Sequence, residues 1–260
     1  MAEPRKPLLG RHALVSGASR GIGEAIVRAL ADAGASITLL GRQRAGLKSV
    51  AASLGDVRSS CQVADVCDPA AVRAAVTGAR DALGPIHILI NNAGQAASAP
   101  LAKTDDALWQ AMLAVNLTGS FLLMRECLPD MVAGKFGRIV NVASTAGLKG
   151  YGYVAAYCAA KHGVIGLTRA AALEHARRGI TVNAVCPGYT DTDIVQSSID
   201  NISAKTGRSK AEALAELVAV NPQGRLIQPA EVASAVLWLC SAGAESVTGQ
   251  SIAVAGGEVT

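Results

Sequence analysis

A tyrosine and a lysine stand four residues apart in Tyr157-Cys158-Ala159-Ala160-Lys161. Their neighbours are good helix formers, so this spacing sets both side chains on one helix face. The pair suits proton transfer. A free phenol titrates near ~10, too high for efficient exchange near neutrality, and an adjacent ammonium favours its phenolate. Such pairs are common on helix surfaces by chance, so the weight comes from what accompanies them. Ser144 lies thirteen residues before Tyr157, just past the apolar run 138–143, at the kind of strand end where open α/β sheets gather ligands. Asn116 lies in Val115-Asn116-Leu117-Thr118-Gly119, inside another helical stretch.

A second group of residues suits an anion. Ser16-Gly17-Ala18-Ser19-Arg20-Gly21-Ile22-Gly23 follows the first apolar run and leads into a helix. Its glycines permit a tight turn and a close backbone approach. The helix N-terminus offers free N–H groups and a positive dipole end to a pyrophosphate.

The elements that must position these residues follow from periodicity. Short apolar runs at 13–16, 36–40, 57–63, 86–91, 138–143, 180–186 and 251–254 predict seven strands. Ala/Leu-rich stretches at 23–33, 44–54, 69–83, 105–132, 154–177 and 229–241 predict the helices between them. Strand and helix alternating in this way require right-handed crossovers and a parallel sheet. The expected fold is α/β, a single-domain doubly wound parallel Rossmann sheet over residues 1–260. The more polar segment 189–221, with its Lys/Ser/Gly-rich centre, breaks the rhythm and is expected to form a mobile helical lid before the last strand.

Taken together, the G-x-x-x-G-x-G turn, Asn91-Asn92-Ala93-Gly94 after the fourth strand, and the set Asn116, Ser144, Tyr157 and Lys161 resemble the short-chain dehydrogenase/reductase family. The resemblance runs from about residue 11 to 257. Ser16 replaces the family's threonine and keeps a hydroxyl; Ala255 stands where an acid is common. The resemblance implies an NAD(P)-dependent oxidoreductase whose cofactor carries the hydride. Tyr157 would then give a proton to the substrate oxygen in reduction, or take one in oxidation. Ser144 would hydrogen-bond that oxygen. Lys161 would hold the nicotinamide ribose and, with the oxidised ring, lower the tyrosine pKa. Asn116 would link the lysine to solvent, often through water. The implied cofactor contacts are Ser16, Gly17, Ser19, Arg20, Gly21, Ile22 and Gly23, the adenine-contacting pair Asp65-Val66, and Asn92, Ala93 and Gly94. Pro187, Gly188, Thr190 and Thr192 follow near the nicotinamide, beside Tyr157 and Lys161. NAD-preferring members end the second strand with an acid that repels a 2′-phosphate; here that position reads Leu39-Leu40-Gly41-Arg42. The guanidinium forks of Arg20 and Arg42 suit a 2′-phosphate, so NADP(H) is expected, with NAD(H) an open alternative.

Composition narrows the partners. Half of the residues are hydrophobic and only 3% aromatic, as in a parallel sheet cored by Ala, Val, Leu and Ile. The net charge of +4 is spread without a Lys/Arg run, which argues against nucleic acid. The four histidines lack the spaced pairing of a metal site. The six cysteines contain no C-x-x-C pair and read as reduced and structural. The N-terminus lacks a signal peptide's apolar core, and no uninterrupted apolar run reaches the ~18 residues of a membrane span, so a cytoplasmic protein is expected. Within the family, residues 144–187 most resemble β-ketoacyl (3-oxoacyl) reductases, including polyketide ketoreductases. The leading expectation is NADPH-dependent reduction of a 3-oxoacyl thioester or related ketone. Secondary-alcohol or 3-hydroxyacyl-CoA oxidation, possibly with NAD, is a competing reading, and a non-catalytic nucleotide-binding scaffold a remote one. Lys135 and Arg178 sit where family members carry basic residues for an acidic acyl carrier protein; helix-dipole complementation explains them equally well. A homotetramer paired through 105–132 and 154–177 is the family expectation.

Overall fold

The computed structural model describes residues 6–259. Seven strands form one parallel sheet: β1 (His12–Ser16), β2 (Ser36–Gly41), β3 (Ser59–Val63), β4 (Ile88–Asn91), β5 (Gly137–Val142), β6 (Ile180–Pro187) and β7 (Ser251–Val254). Their order is β3-β2-β1-β4-β5-β6-β7, with every neighbouring pair parallel. The chain therefore moves outward from β1 to β3, then crosses back to lay β4 on β1's other side. That reversal opens a crevice at the carboxyl ends of β1 and β4. Every residue of β1, β4, β5 and β6 is buried, as expected of strands covered on both faces.

Helices α1 (Gly21–Asp32), α2 (Arg44–Ala52) and α9 (Pro229–Cys240) cover one face, where Ile26, Leu30, Leu47, Val232 and Val236 meet Ile37, Leu39 and Val140. On the other face, α3 (Pro69–Leu83), α5 (Gly119–Ala133) and α6 (Ala155–His175) bring Val76, Leu123, Met131 and Ala172 onto Leu14, Leu89 and Ile139. Strand β3 is shorter than the run 57–63, because Leu54 and Val57 complete turns after α2, their N–H groups bonding Ala51 O and Leu54 O.

The helix expected at 105–132 runs from Asp106 to Ala133, with a π-helical stretch inside it. Helix α4 (Asp106–Leu113) passes into a π-helical stretch, Ala114–Thr118, before α5 begins. Asn116 lies in that stretch and its amide donates to the Met112 carbonyl at 3.0 Å, satisfying a backbone group one turn back. The stretch Asp106–Ala133 is long and apolar enough to cross a bilayer. In the fold Leu122, Leu123, Met124, Cys127 and Met131 are packed in the core instead.

Segment 189–221 forms α7 (Asp193–Thr206) and α8 (Lys210–Ala219). They turn about Gly207, at φ +73°, and Ser209 and Glu212 cap α8 reciprocally. Val195, Ile199, Ala213 and Leu217 give this pair its own small apolar cluster, flanked by Tyr189 and Leu226. All six cysteines are free; four are buried, Cys61 is half-buried and Cys67 is exposed.

Candidate active site

The glycine turn is a cradle that side chains would fill. Gly17 and Gly21 hold φ of +64° and +56°, where a Cβ is strained. A Cβ on Gly23 would lie 2.1 Å from Gly17 O and 2.5 Å from the Asn92 amide nitrogen. Arg20, the residue before α1, makes no side-chain cap, so the first N–H groups of the helix face the crevice without a side-chain acceptor. This combination fits a pyrophosphate.

The turn is held by the opposite lip of the crevice. Asn92 Nδ2 donates to Ser16 O at 3.0 Å and Gly17 O at 3.1 Å. The Ser16 hydroxyl is buried and already engaged. It donates to Ile90 O at 3.3 Å and accepts from the N–H groups of Asn92 and Ala93 at 3.0 and 3.1 Å. The hydroxyl, serine or threonine, thus ties β1 to the loop after β4.

Arg42 is exposed just past β2, and the exposed Asp65 closes a turn by accepting from Cys67 N at 2.9 Å. Val66 is buried against Gly119, where an added Cβ would come within 2.8 Å of its side chain. Arg20, also exposed, spans from the glycine turn to α7. Its guanidinium donates to Asp193 at 3.0 Å, at the first residue of α7, and both side chains are exposed. Thr192 approaches the same turn, its methyl 3.2 Å from where a Gly21 Cβ would stand. Residues 188–192 run along the crevice as a short ladder: Gly188 N bonds Val254 O, Asp191 N bonds Ile227 O, and Ile227 N bonds Tyr189 O. The Thr190 hydroxyl donates to Gly188 O and that of Thr192 to Thr190 O. Their side chains are thereby turned to their own backbone.

The four residues singled out from sequence cluster beside this crevice. Ser144 lies two residues past β5 and opens a 3-10 turn, Thr145–Gly147, its Oγ accepting from Ala146 N at 3.0 Å. Asn116 is buried and clamps the loop after β4: it donates to Gln95 O at 2.9 Å and accepts from Gln95 N at 3.2 Å. A Cβ on Gly94 would fall 2.8 Å from Asn116 Oδ1 and 3.7 Å from Lys161 Nζ. Asn116 and the lysine therefore flank one glycine. Lys161, 4% exposed, donates to Val142 O at 2.9 Å, with its Nζ 5.6 Å from the centre of the Tyr157 ring.

The electrostatics differ from the expectation that the lysine lowers the tyrosine pKa. Burial pushes Tyr157 up to about 12, and a hydrogen bond with Ser144 pulls the other way but less. Burial also brings Lys161 down to about 8. The physical reason is desolvation: both groups sit where their charged forms lose water, and the ammonium bonds a neutral carbonyl, not the phenol.

Three residues around Ser144 escaped notice in the sequence: Lys149, Tyr151 and Glu258. Glu258 meets the other two across more than a hundred residues, a distance no local motif spans. Gln95 contributes only backbone to the Asn116 clamp, so its residue type carried no signal.

The model of the short chain dehydrogenase family matches residues 11–203. A ketoacyl reductase of the granaticin polyketide synthase from Streptomyces violaceoruber is 41% identical over 251 residues, covering 94% of this chain and 92% of the relative. The 3-oxoacyl-[acyl-carrier-protein] reductase FabG of Vibrio cholerae is 38% identical, covering 96% and 98%. Among solved structures, an actinorhodin polyketide ketoreductase variant with NADPH superposes with a TM-score of 0.92 at 39% identity, covering 95% of this chain and 97% of the other. The chain belongs to the short-chain dehydrogenase/reductase family and is an NAD(P)-dependent oxidoreductase of that family.

Proposed function

We propose that this enzyme reduces a 3-oxoacyl thioester, on acyl carrier protein or coenzyme A, to the 3-hydroxyacyl thioester, using NADPH and Tyr157 as the acid. The observation that carries the reading is the hydroxyl pair of Ser144 and Tyr157, set against buried Lys161 at the carboxyl edge of the sheet. When bound, the reduced nicotinamide supplies the hydride. The Ser144 oxygen is steadied by Ala146 N–H and its hydroxyl bonds Tyr157, so its proton turns from the phenol to the carbonyl oxygen when substrate binds. Tyr157 delivers its proton to the same oxygen as the alcohol forms. Burial raises the phenol above its usual value, so it stands protonated and ready to donate near neutrality. Lys161 lies near enough to offset the phenolate left behind, and Asn116 shares Gly94 with it on the side from which the proton is replaced.

NADP(H) is supported by the exposed Arg42 and Arg20 and by the lack of an acid ending β2. Segment 189–221 serves as a lid over the crevice, touching the glycine turn through Thr192 and Asp193. An acidic carrier protein is supported by Lys135, Arg177 and Arg178, which line a cavity of about 420 Å³ with Val132 and Gly179. The exposed apolar residues Trp109, Phe121 and Leu173, on α4, α5 and α6, support a homotetramer paired through these helices. Six free cysteines suit a cytoplasmic enzyme.

The test is a panel of 3-oxoacyl thioesters, simple ketones and alcohols, assayed with both cofactors for the wild type and Tyr157→Phe. The expected outcome is thioester reduction with higher kcat/KM for NADPH than NADH, and a loss of roughly a hundredfold or more in the variant. Unchanged turnover in Tyr157→Phe would refute the acid assignment. Equal or better efficiency with NADH would refute the roles of Arg20 and Arg42, and a preference for alcohol oxidation would refute the direction.

A further inference from the structure

Beside Ser144 lies a charged cluster that the proton transfer does not use. The Glu258 side chain is only 1% exposed, though only two residues follow it in the sequence. The Tyr151 hydroxyl lies within hydrogen-bond reach of both Glu258 Oε1 and, at 2.7 Å, Thr145 Oγ1. A phenol has one proton and a carboxylate can only accept. Tyr151 therefore donates to Glu258, and the Thr145 hydroxyl donates to Tyr151. Lys149 Nζ stands 3.2 Å from the same carboxylate oxygen and 3.4 Å from the Glu258 carbonyl. The other oxygen, Oε2, is buried with no hydrogen-bond partner among the described residues, and a Cβ on Gly188 would come within 2.8 Å of it.

A carboxylate half satisfied in this way is costly to bury, and it earns no stability that an apolar side chain could not supply. Its partners show where it acts. Thr145 follows Ser144 directly, and Lys149 and Tyr151 belong to the loop between Ser144 and Tyr157. The far end of that loop is constrained too: Tyr153, 71% exposed, holds φ at +66°, and its carbonyl accepts from Ala99 N at 2.8 Å. A tyrosine persists at positive φ only where its surroundings determine it. The Glu258 carboxylate is the common acceptor that fixes the near half of this loop.

We propose that Glu258 is a positioning residue for the active site, acting through Tyr151 and Lys149 to hold loop 145–153, which joins Ser144 to Tyr157. This rests on the reading of Ser144 and Tyr157 as the reacting pair. Tyr151 is its main intermediary, because it alone links the carboxylate to Thr145.

A double-mutant cycle tests it, with Tyr151→Phe, Glu258→Ala and the double variant assayed on whichever carbonyl the wild type reduces. Each single change is expected to lower kcat/KM about tenfold, the scale of one hydrogen bond to a charged group, mainly through KM. The double variant should lose no more than Glu258→Ala alone. Glu258→Gln, which keeps an acceptor for the phenol, should recover most of the activity, and Tyr151→Phe should melt as the wild type does. Losses that multiply in the double variant, no recovery with Gln, or wild-type KM in Tyr151→Phe would each overturn the proposal. Tyr157→Phe serves as the separate control: if it stays active the reacting pair is wrong, whereas if it is inactive and the cycle is additive only the role of Glu258 fails.

Discussion

At the scale of single residues, the site is built at a cost that its own groups reveal. Lys161 is almost fully buried and its ammonium has one bond, to Val142 O. Its pKa falls from 10.5 to about 8, so keeping it charged costs about 3 kcal/mol near neutrality. Below about pH 8 that cost is present in full. Between about 8 and 10.5 the unfolded chain binds the extra proton, so stability rises with pH. Tyr157 acts oppositely: its pKa is raised, so above about pH 10 the unfolded chain ionises first and stability falls. Lys161→Met should therefore raise stability near neutrality by about 2 kcal/mol, after allowing about 1 for the lost bond to Val142 O. The gain should shrink as pH rises through 8, while turnover collapses. Thermal melts of both proteins across this range, with activity assays, check the prediction; a variant that melts lower at neutral pH would contradict it. An enzyme that gains stability by losing its lysine keeps the lysine for chemistry.

At the scale of elements, two devices assemble the crevice. One is the glycine turn, closed by Ser16 and Asn92 from either side. Gly23→Ala would set a methyl 2.1 Å from Gly17 O, a backbone atom of the cradle itself, so the turn must open. NADPH affinity should fall about tenfold or more, the ~1.4 kcal/mol that misplacing even one or two phosphate hydrogen bonds costs. A fluorescence titration reads this directly, and an affinity within twofold of wild type would show that the close approach is dispensable. The other device is the π-helical stretch between α4 and α5, which places the Asn116 side chain on the loop after β4. The first turn of α7 meets α1 through the exposed Arg20–Asp193 pair, an interaction worth no more than about 1 kcal/mol.

At the scale of the whole molecule, one sheet brings together residues from six of its strand ends and connections, while Trp109, Phe121 and Leu173 on α4, α5 and α6 stay exposed. If four copies pair through these helices, light scattering should give a mass about four times 26.3 kDa; a monomeric mass would refute the pairing. Periodicity and Ala/Leu content were enough to place all seven strands and the flanking helices to within a few residues, because buried parallel strands and amphipathic helices are written in local apolar spacing. The family's site residues were legible for the same reason: the glycine turn, the Asn-Asn-Ala-Gly loop and the Tyr157–Lys161 spacing are each contained in a few consecutive residues. What is set by distance in space was not. The π-helical stretch leaves no mark in the apolar spacing, and Asn116 meets the Gln95 backbone across 21 residues. The engaged hydroxyl of Ser16 depends on β4, and Arg20's turn toward Asp193 on a helix more than 170 residues away. The raised phenol and lowered ammonium depend on how deeply the sheet and helices bury them, and Glu258 reaches Tyr151 only because β7 returns the chain's end beside β6. Sequence alone determined which groups could do the chemistry and the frame that carries them; tertiary structure decided their solvation and their partners, because desolvation and hydrogen bonding are properties of neighbours in space.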